Sequence, residues 1–166
     1  MIVDVKDNFF QSSHFDLIRK IMYGKDFPWY FNEGILDYIE PRNFQFIHLL
    51  YRNTGRESVM WKDFRDIFIP KMKIKELYRV KANLTTRTIF HRGGGYHIDY
   101  DKVKEKQKTS IFYINTCNGY TKFKNGGKVK SVANRMVTFD SNLEHDGYTC
   151  TDKKRRVVVN FNYVGL

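Results

Sequence analysis

His97-Ile98-Asp99 sets an imidazole and a carboxylate two residues apart. Residues i and i+2 diverge on a helix but share one face of a strand, so these two groups converge only if the segment is extended. Gly93, Gly94 and Gly95 immediately before it argue against a helix there. A second imidazole, His145, follows the apolar run Met136 to Phe139. Two histidines and one carboxylate on one side of a metal leave the opposite positions open, which suits non-heme Fe(II) and its oxygen chemistry. The same three ligands could hold Zn(II) and activate a water for hydrolysis.

The segment Lys153-Lys154-Arg155-Arg156-Val157-Val158-Val159-Asn160-Phe161-Asn162-Tyr163 reads as a strand that opens with cations. Alternation puts Arg156, Val158, Asn160 and Asn162 on one face and Arg155, Val157, Val159, Phe161 and Tyr163 on the other. A pocket for a small dicarboxylate would want the polar face, with a guanidinium to grip a carboxylate through two parallel hydrogen bonds. Arg156 is therefore preferred over Arg155, although a slip of one residue in register would exchange their roles.

Other motifs carry less. His91-Arg92-Gly93-Gly94-Gly95 is followed by no Gly-Lys-Ser/Thr and no helix, which rejects a phosphate-binding loop and leaves a flexible lip over the pocket. His14, His48 and His91 lack partners at ligand spacing and read as core or surface residues. Trp29 and Trp61 read as core anchors.

The elements that must position these groups are legible in outline. Ser12 or Ser13 can cap a helix carrying Phe15, Ile18, Ile21 and Met22 and ending at Gly24. Met60, Trp61, Phe64, Ile67 and Phe68 repeat at helical spacing after Ser58 and stop at Pro70. Phe27 to Phe31 and Phe44 to Tyr51 read as strands, and strict alternation begins at Leu77. From there to Leu166 short strands succeed one another, with Asn125-Gly126-Gly127 as a tight hairpin turn. The chain is mainly β with flanking α-helices, a sandwich or jelly roll. The 166 residues suit one domain, 1–166, in which 1–76 buttress a β-core over 77–166.

Composition bounds the function classes. No apolar run approaches the ~18 residues of a membrane span, and an N-terminus carrying acids does not look like a signal peptide. With cysteines only at 117 and 150, the reducing cytoplasm is the expected compartment. The net charge of +11 would attract phosphate or acidic protein. The lysines recur mostly at period two, as Lys71, Lys73 and Lys75, Lys102 to Lys108, then Lys122, Lys124, Lys128 and Lys130, the pattern of wet strand faces. A non-catalytic basic β-sandwich that binds nucleic acid thus stands beside the two metal readings.

Taken together, His97-x-Asp99, Thr109 to Asn115, Gly119 to Phe123, Val137 to Asp140 before His145, and the Arg156 strand resemble, in order, the Fe(II)- and 2-oxoglutarate-dependent dioxygenases. The likeness covers about half the chain and is strongest to the prolyl-4-hydroxylase-like branch, including its small phage members. It departs at Gly119-Tyr120, where many relatives have Gly-Gly. The resemblance implies a double-stranded β-helix, the cupin-like jelly roll. It also implies Fe(II) on His97, Asp99 and His145, with 2-oxoglutarate held at its distal carboxylate by Arg156. The hydroxyl of Tyr113 would add a hydrogen bond, with Asn160 beside it. The implied reaction decarboxylates 2-oxoglutarate to succinate and CO2 with O2, hydroxylates a substrate carbon and draws on ascorbate as reductant. Its primary substrate could be a peptide or protein side chain, a nucleobase or a small metabolite. Asp140 or Glu144 would orient His145, and Asp99→Ala should abolish turnover while sparing the fold.

Overall fold

The computed structural model describes residues 3–34, 43–99 and 106–166. In chain order the elements are β1 (Asp4–Lys6), α1 (Ser12–Tyr23), β2 (Tyr30–Asn32), β3 (Gln45–Arg52), β4 (Arg56–Glu57) and α2 (Trp61–Phe68). There follow β5 (Ile74–Thr86), β6 (Gln107–Tyr113), β7 (Tyr120–Phe123), β8 (Lys128–Lys130), β9 (Arg135–Asp140), β10 (His145–Tyr148) and β11 (Arg155–Gly165). An eight-stranded sheet runs β1-β9-β6-β11-β5-β3-β2, with β4 on β3, and a three-stranded sheet runs β10-β7-β8. This is the jelly-roll arrangement of a mainly β protein with two helices.

Alternation along the central strands divides two cores. Phe112, Val157, Val159 and Phe161 turn outward and pack with Phe15, Ile18 and Met22 of α1 and Trp61, Phe64 and Phe68 of α2. Phe10 meets Phe68 and Phe112 edge-on, with centroids 4.9 and 5.4 Å apart, the preferred geometry for aromatic pairs. Ile111, Tyr113, Val137, Phe139 and Val158 turn inward and join Phe123 of the small sheet. Helices therefore cover one face of the large sheet, and its other face is free to build a cavity against the small one.

Local boundaries differ from the sequence expectations for identifiable reasons. Pairing of β2 starts at Tyr30 rather than Phe27, because Pro28 has no N–H for a ladder; Phe27 instead enters the outer core. Gln11, not Ser12 or Ser13, stands at the N-cap of α1 and makes no side-chain cap bond. Ser58 does serve α2, accepting the Met60 N–H on its hydroxyl at 3.2 Å. Helix α2 runs into a 3-10 turn at Ile69–Lys71, with Pro70 inside it. The β7–β8 hairpin closes through the Phe123 N–H on the Gly127 carbonyl at 2.8 Å, with Gly126 at φ +107°, a conformation that favours glycine.

Lys122 lies opposite Lys128, and Lys130 opposite Tyr120, on the outer side of the small sheet, while Thr121 and Phe123 point inward and are buried. Lys102 and Lys104 fall outside the described residues. Cys117 and Cys150 are buried free thiols. Among the described residues no helix is long and apolar enough to cross a membrane.

Candidate metal and cosubstrate site

A single antiparallel bridge joins the two histidines. The His97 N–H donates to the His145 carbonyl at 3.1 Å, and the His145 N–H returns to the His97 carbonyl at 3.0 Å. Side chains directly opposite on paired strands share a face, so the rings stand 4.7 Å apart between centroids. Asp99, two residues further along the extended segment, faces both. Its Oδ1 is 4.0 Å from His97 Nε2 and its Oδ2 is 3.9 Å from His145 Nε2. One ligand atom from each residue lies within 4.8 Å of the others, close enough to share an ion.

Each ring is oriented by a backbone carbonyl. His97 Nδ1 lies 3.0 Å from the Gly95 oxygen and His145 Nδ1 lies 3.0 Å from the Leu143 oxygen. A carbonyl only accepts, so Nδ1 carries the proton and the Nε2 lone pair faces the metal position. This corrects the expectation for Asp140 and Glu144, which are instead paired with Lys108 and Lys124. Burial, the largest influence, pushes the His145 imidazole down despite Asp99, which favours its unprotonated, ligating form.

Asp99 is tied to the large sheet. Arg79 donates to its Oδ1 at 3.0 Å, while Thr109 and Asn162 donate to its Oδ2 at 3.0 and 2.9 Å. Arg79 also donates to Asn162 at 2.9 Å. Burial alone would raise this carboxyl. Against it act the nearby cations, His145 when protonated, then Arg79 and His97 when protonated, and the Asn162 hydrogen bond, which outweigh burial and hold it down at about 2; with the imidazoles neutral, Arg79 and Asn162 still act in that direction. The sequence singled out neither Arg79 nor Thr109, and Asn162 only as a member of the polar face. The expectation that Asp99→Ala leaves the fold largely intact meets a mostly shielded guanidinium, Arg79, that would lose its counter-charge.

A cavity between the sheets runs from this cluster to Arg156. The register settles which arginine enters it: Arg156 is 6% exposed and lines the cavity, whereas Arg155 is exposed with its guanidinium 4.2 Å over the Tyr23 ring. Arg156 donates from Nη2 to Thr121 Oγ1 at 3.0 Å, and Tyr113 donates its hydroxyl to the same oxygen at 2.8 Å. Burial raises the Tyr113 hydroxyl above the usual tyrosine range, so it stays a donor. Tyr113 is fully buried and stands behind the cavity wall, while Thr121 forms that wall. Having accepted two hydrogen bonds, the Thr121 hydroxyl keeps its own proton for a ligand. Thr121 was not singled out in the sequence.

Four polar atoms buried in the cavity wall have no partner among the described residues: Arg156 Nε, Asn160 Oδ1, Asn83 Oδ1 and Thr85 Oγ1. Unpaired buried polar atoms are costly, and four in one cavity are the mark of a place built for a polar ligand. Cys117, Cys150 and Asp152 form a second group close enough to share an ion.

Glycines shape both ends. The Gly94 N–H donates to Asp146 Oδ1 at 2.7 Å, and Asn43 donates to the Gly93 carbonyl at 3.0 Å. A Cβ on Gly93 would meet Asp146 Oδ2 at 2.1 Å. The loop expected to be a flexible lip is thus packed against the barrel. At Gly119 a Cβ would lie 2.8 Å from Arg156 Cδ and 2.9 Å from the Tyr148 carbonyl. Gly119→Ala should displace the Arg156 stem and lower stability by about 1–3 kcal/mol, measured by thermal melting.

No family model matches the chain, and no curated protein does. Solved structures do. A prolyl hydroxylase from Trichoplax adhaerens, in complex with a hypoxia inducible factor peptide fragment, superposes with TM-score 0.64 at 15% identity, over 98% of this chain and 83% of that one. A prolyl-4-hydroxylase from Pseudomonas putida gives 0.63 at 10% identity, over 98% and 92%. The non-heme α-ketoglutarate-dependent epimerase SnoN from nogalamycin biosynthesis gives 0.66 at 7% identity, over 98% and 77%. At such identities the likeness is one of fold.

Proposed function

We propose that this chain, which has the fold of the prolyl hydroxylases and other 2OG-Fe(II) oxygenases, is itself an Fe(II)- and 2-oxoglutarate-dependent dioxygenase that hydroxylates a carbon of its primary substrate. His97, Asp99 and His145 would hold the metal. The donor set fits it, with two unprotonated imidazole nitrogens and one ionised carboxylate leaving a side open. When bound, Fe(II) with 2-oxoglutarate and O2 supplies oxidative decarboxylation to succinate and CO2, coupled to oxidation of a substrate C–H bond.

The chain's own part is binding and orientation. Arg156 would take the distal carboxylate of 2-oxoglutarate, with the Thr121 hydroxyl donating beside it. Tyr113 fixes Thr121 and lies under the guanidinium, 5.5 Å from it to the ring centroid. Asn160, which lines the same cavity with its Oδ1 unpaired, would lie beside that carboxylate. Arg79, Thr109 and Asn162 keep Asp99 ionised and aimed, so the ligand geometry exists before the ion arrives.

The observation that carries this reading is the buried Arg156 at the far end of the same cavity that the histidines and Asp99 line. A zinc hydrolase with these ligands has no use for a deep guanidinium, nor has a nucleic-acid-binding sandwich. Protein incubated with Fe(II), ascorbate and carboxyl-labelled 2-oxoglutarate is expected to release labelled CO2 and form succinate. Release abolished by Zn(II), and reduced by Arg156→Met, is the expected pattern. No release with Fe(II), together with hydrolytic activity under Zn(II), would overturn it.

A further inference from the structure

The loop from β6 to β7 carries Cys117, and the loop from β10 to β11 carries Cys150 and Asp152. Asn118 fastens one loop to the other. Its side-chain amide donates to Thr151 Oγ1 at 2.7 Å and accepts the Thr151 N–H at 2.8 Å, and its backbone N–H donates to Asp152 Oδ1 at 3.0 Å. The Cys117 N–H donates to the Ser131 carbonyl at 3.1 Å, and the Cys150 carbonyl accepts the Thr88 N–H at 3.0 Å. So pinned, the two sulfurs and one carboxylate oxygen lie within 4.8 Å of one another. Two sulfurs on a tetrahedral zinc, at about 2.3 Å from it, stand about 3.8 Å apart, a spacing that a small closure of the loops would reach. Both thiols are buried and free. The Asp152 carboxylate keeps lone pairs for an ion after accepting from Asn118.

The geometry points to a second metal site, apart from the His97, Asp99 and His145 cluster, in which Cys117, Cys150 and Asp152 bind a borderline-soft divalent cation of the zinc class, with water in the fourth position. Two thiolates select Zn(II) over Mg(II) and Ca(II), and the Irving–Williams order places it above Fe(II); two imidazoles and a carboxylate suit non-heme iron instead. On binding, two S–H bonds break, two sulfur–metal bonds form and both protons pass to solvent. Three anionic ligands then surround a doubly charged ion, and the next three residues, Lys153, Lys154 and Arg155, are exposed cations that offset the remainder. Asp152 is exposed as well, which gives the ion and its water a way in. The ion would join the loop that leads into Gly119 to the loop that leads into Arg156, a clip at one end of the barrel. It rests on no part of the dioxygenase reading.

Titration with Co(II) tests this on the full chain, reduced and freed of metal by a chelator. A thiolate-to-cobalt charge-transfer band should appear in the near ultraviolet, which histidine and aspartate ligands cannot produce, and Zn(II) should discharge it. Cys150→Ser should remove the band. Asp152→Asn, an exposed change that retains an acceptor for the Asn118 N–H, should weaken Co(II) at this site at least about tenfold while leaving the melting temperature of the metal-free protein unchanged. Protein with both thiols reduced that gives no band would overturn the proposal. So would a band whose affinity ignores Asp152→Asn, or Cys117 and Cys150 recovered as a disulfide in the presence of reductant. A protein that fails to turn over 2-oxoglutarate with Fe(II) yet gives the band would sink the dioxygenase reading and leave the thiolate site standing.

Discussion

Asp99→Ala should remove Fe(II) binding and turnover together and, unlike a simple ligand deletion, destabilise the metal-free protein by about 3–5 kcal/mol, the usual consequence of stripping a buried charge of its partner. The abandoned partner is Arg79, whose side chain is 16% exposed and whose Nη2 lies 3.0 Å from the carboxylate. Thr109 and Asn162 would lose the same acceptor. The pair Asp99→Ala and Arg79→Met separates the two effects. The double variant should recover a large part of the stability in urea unfolding, while metal content measured by elemental analysis stays at background. If Asp99→Ala retained iron at the wild-type level, Asp99 would leave the ligand set.

Arg156→Met is expected to act in the opposite sense on stability and more severely on cosubstrate. Two charge-assisted hydrogen bonds to a carboxylate, at about 1.5–3 kcal/mol each, imply a loss of at least about a hundredfold in 2-oxoglutarate affinity. Stability should hold or rise, since the buried guanidinium donates to Thr121 but keeps an Nε unpaired among the described residues, and methionine suits the neighbouring Ile111 and Val158. Arg155→Met should alter 2-oxoglutarate binding by less than about twofold, its charge being in solvent over Tyr23. Titrations monitored by intrinsic fluorescence, beside thermal melts, decide it; the larger effect at Arg155 would reverse the register argument.

Much of this was legible because strand alternation is a strong code. The polar and apolar faces of β11 could be written down from Arg155 to Tyr163, and the fold separates them as written. The helices were visible through apolar spacing, with ends that differ by a residue or two where Gln11 takes the N-cap of α1 and a 3-10 turn containing Pro70 continues α2. The approach of His97 to His145 was not a matter of spacing: it depends on a bridge between distant segments. Arg79 and Thr121 were hidden for another reason. Each sits on a strand as an ordinary alternating polar residue, and what distinguishes it is which remote group the sheet places opposite. The Leu143 carbonyl that orients His145 has no side-chain signature at all, so acids nearby in sequence attracted the assignment.

His145 begins a strand of the small sheet, whereas Asp99 is bonded to Arg79, Thr109 and Asn162 of the large one. An ion held by both acts as a clasp across the two walls of the barrel, and whatever binds only the closed barrel slows its opening. Loading the protein with a divalent cation should therefore retard amide hydrogen exchange most in β7, β8 and β10, the layer with the fewest strands, and least beneath the helices. Breathing of the barrel and occupancy of its centre become one equilibrium, and the thin sheet is the door.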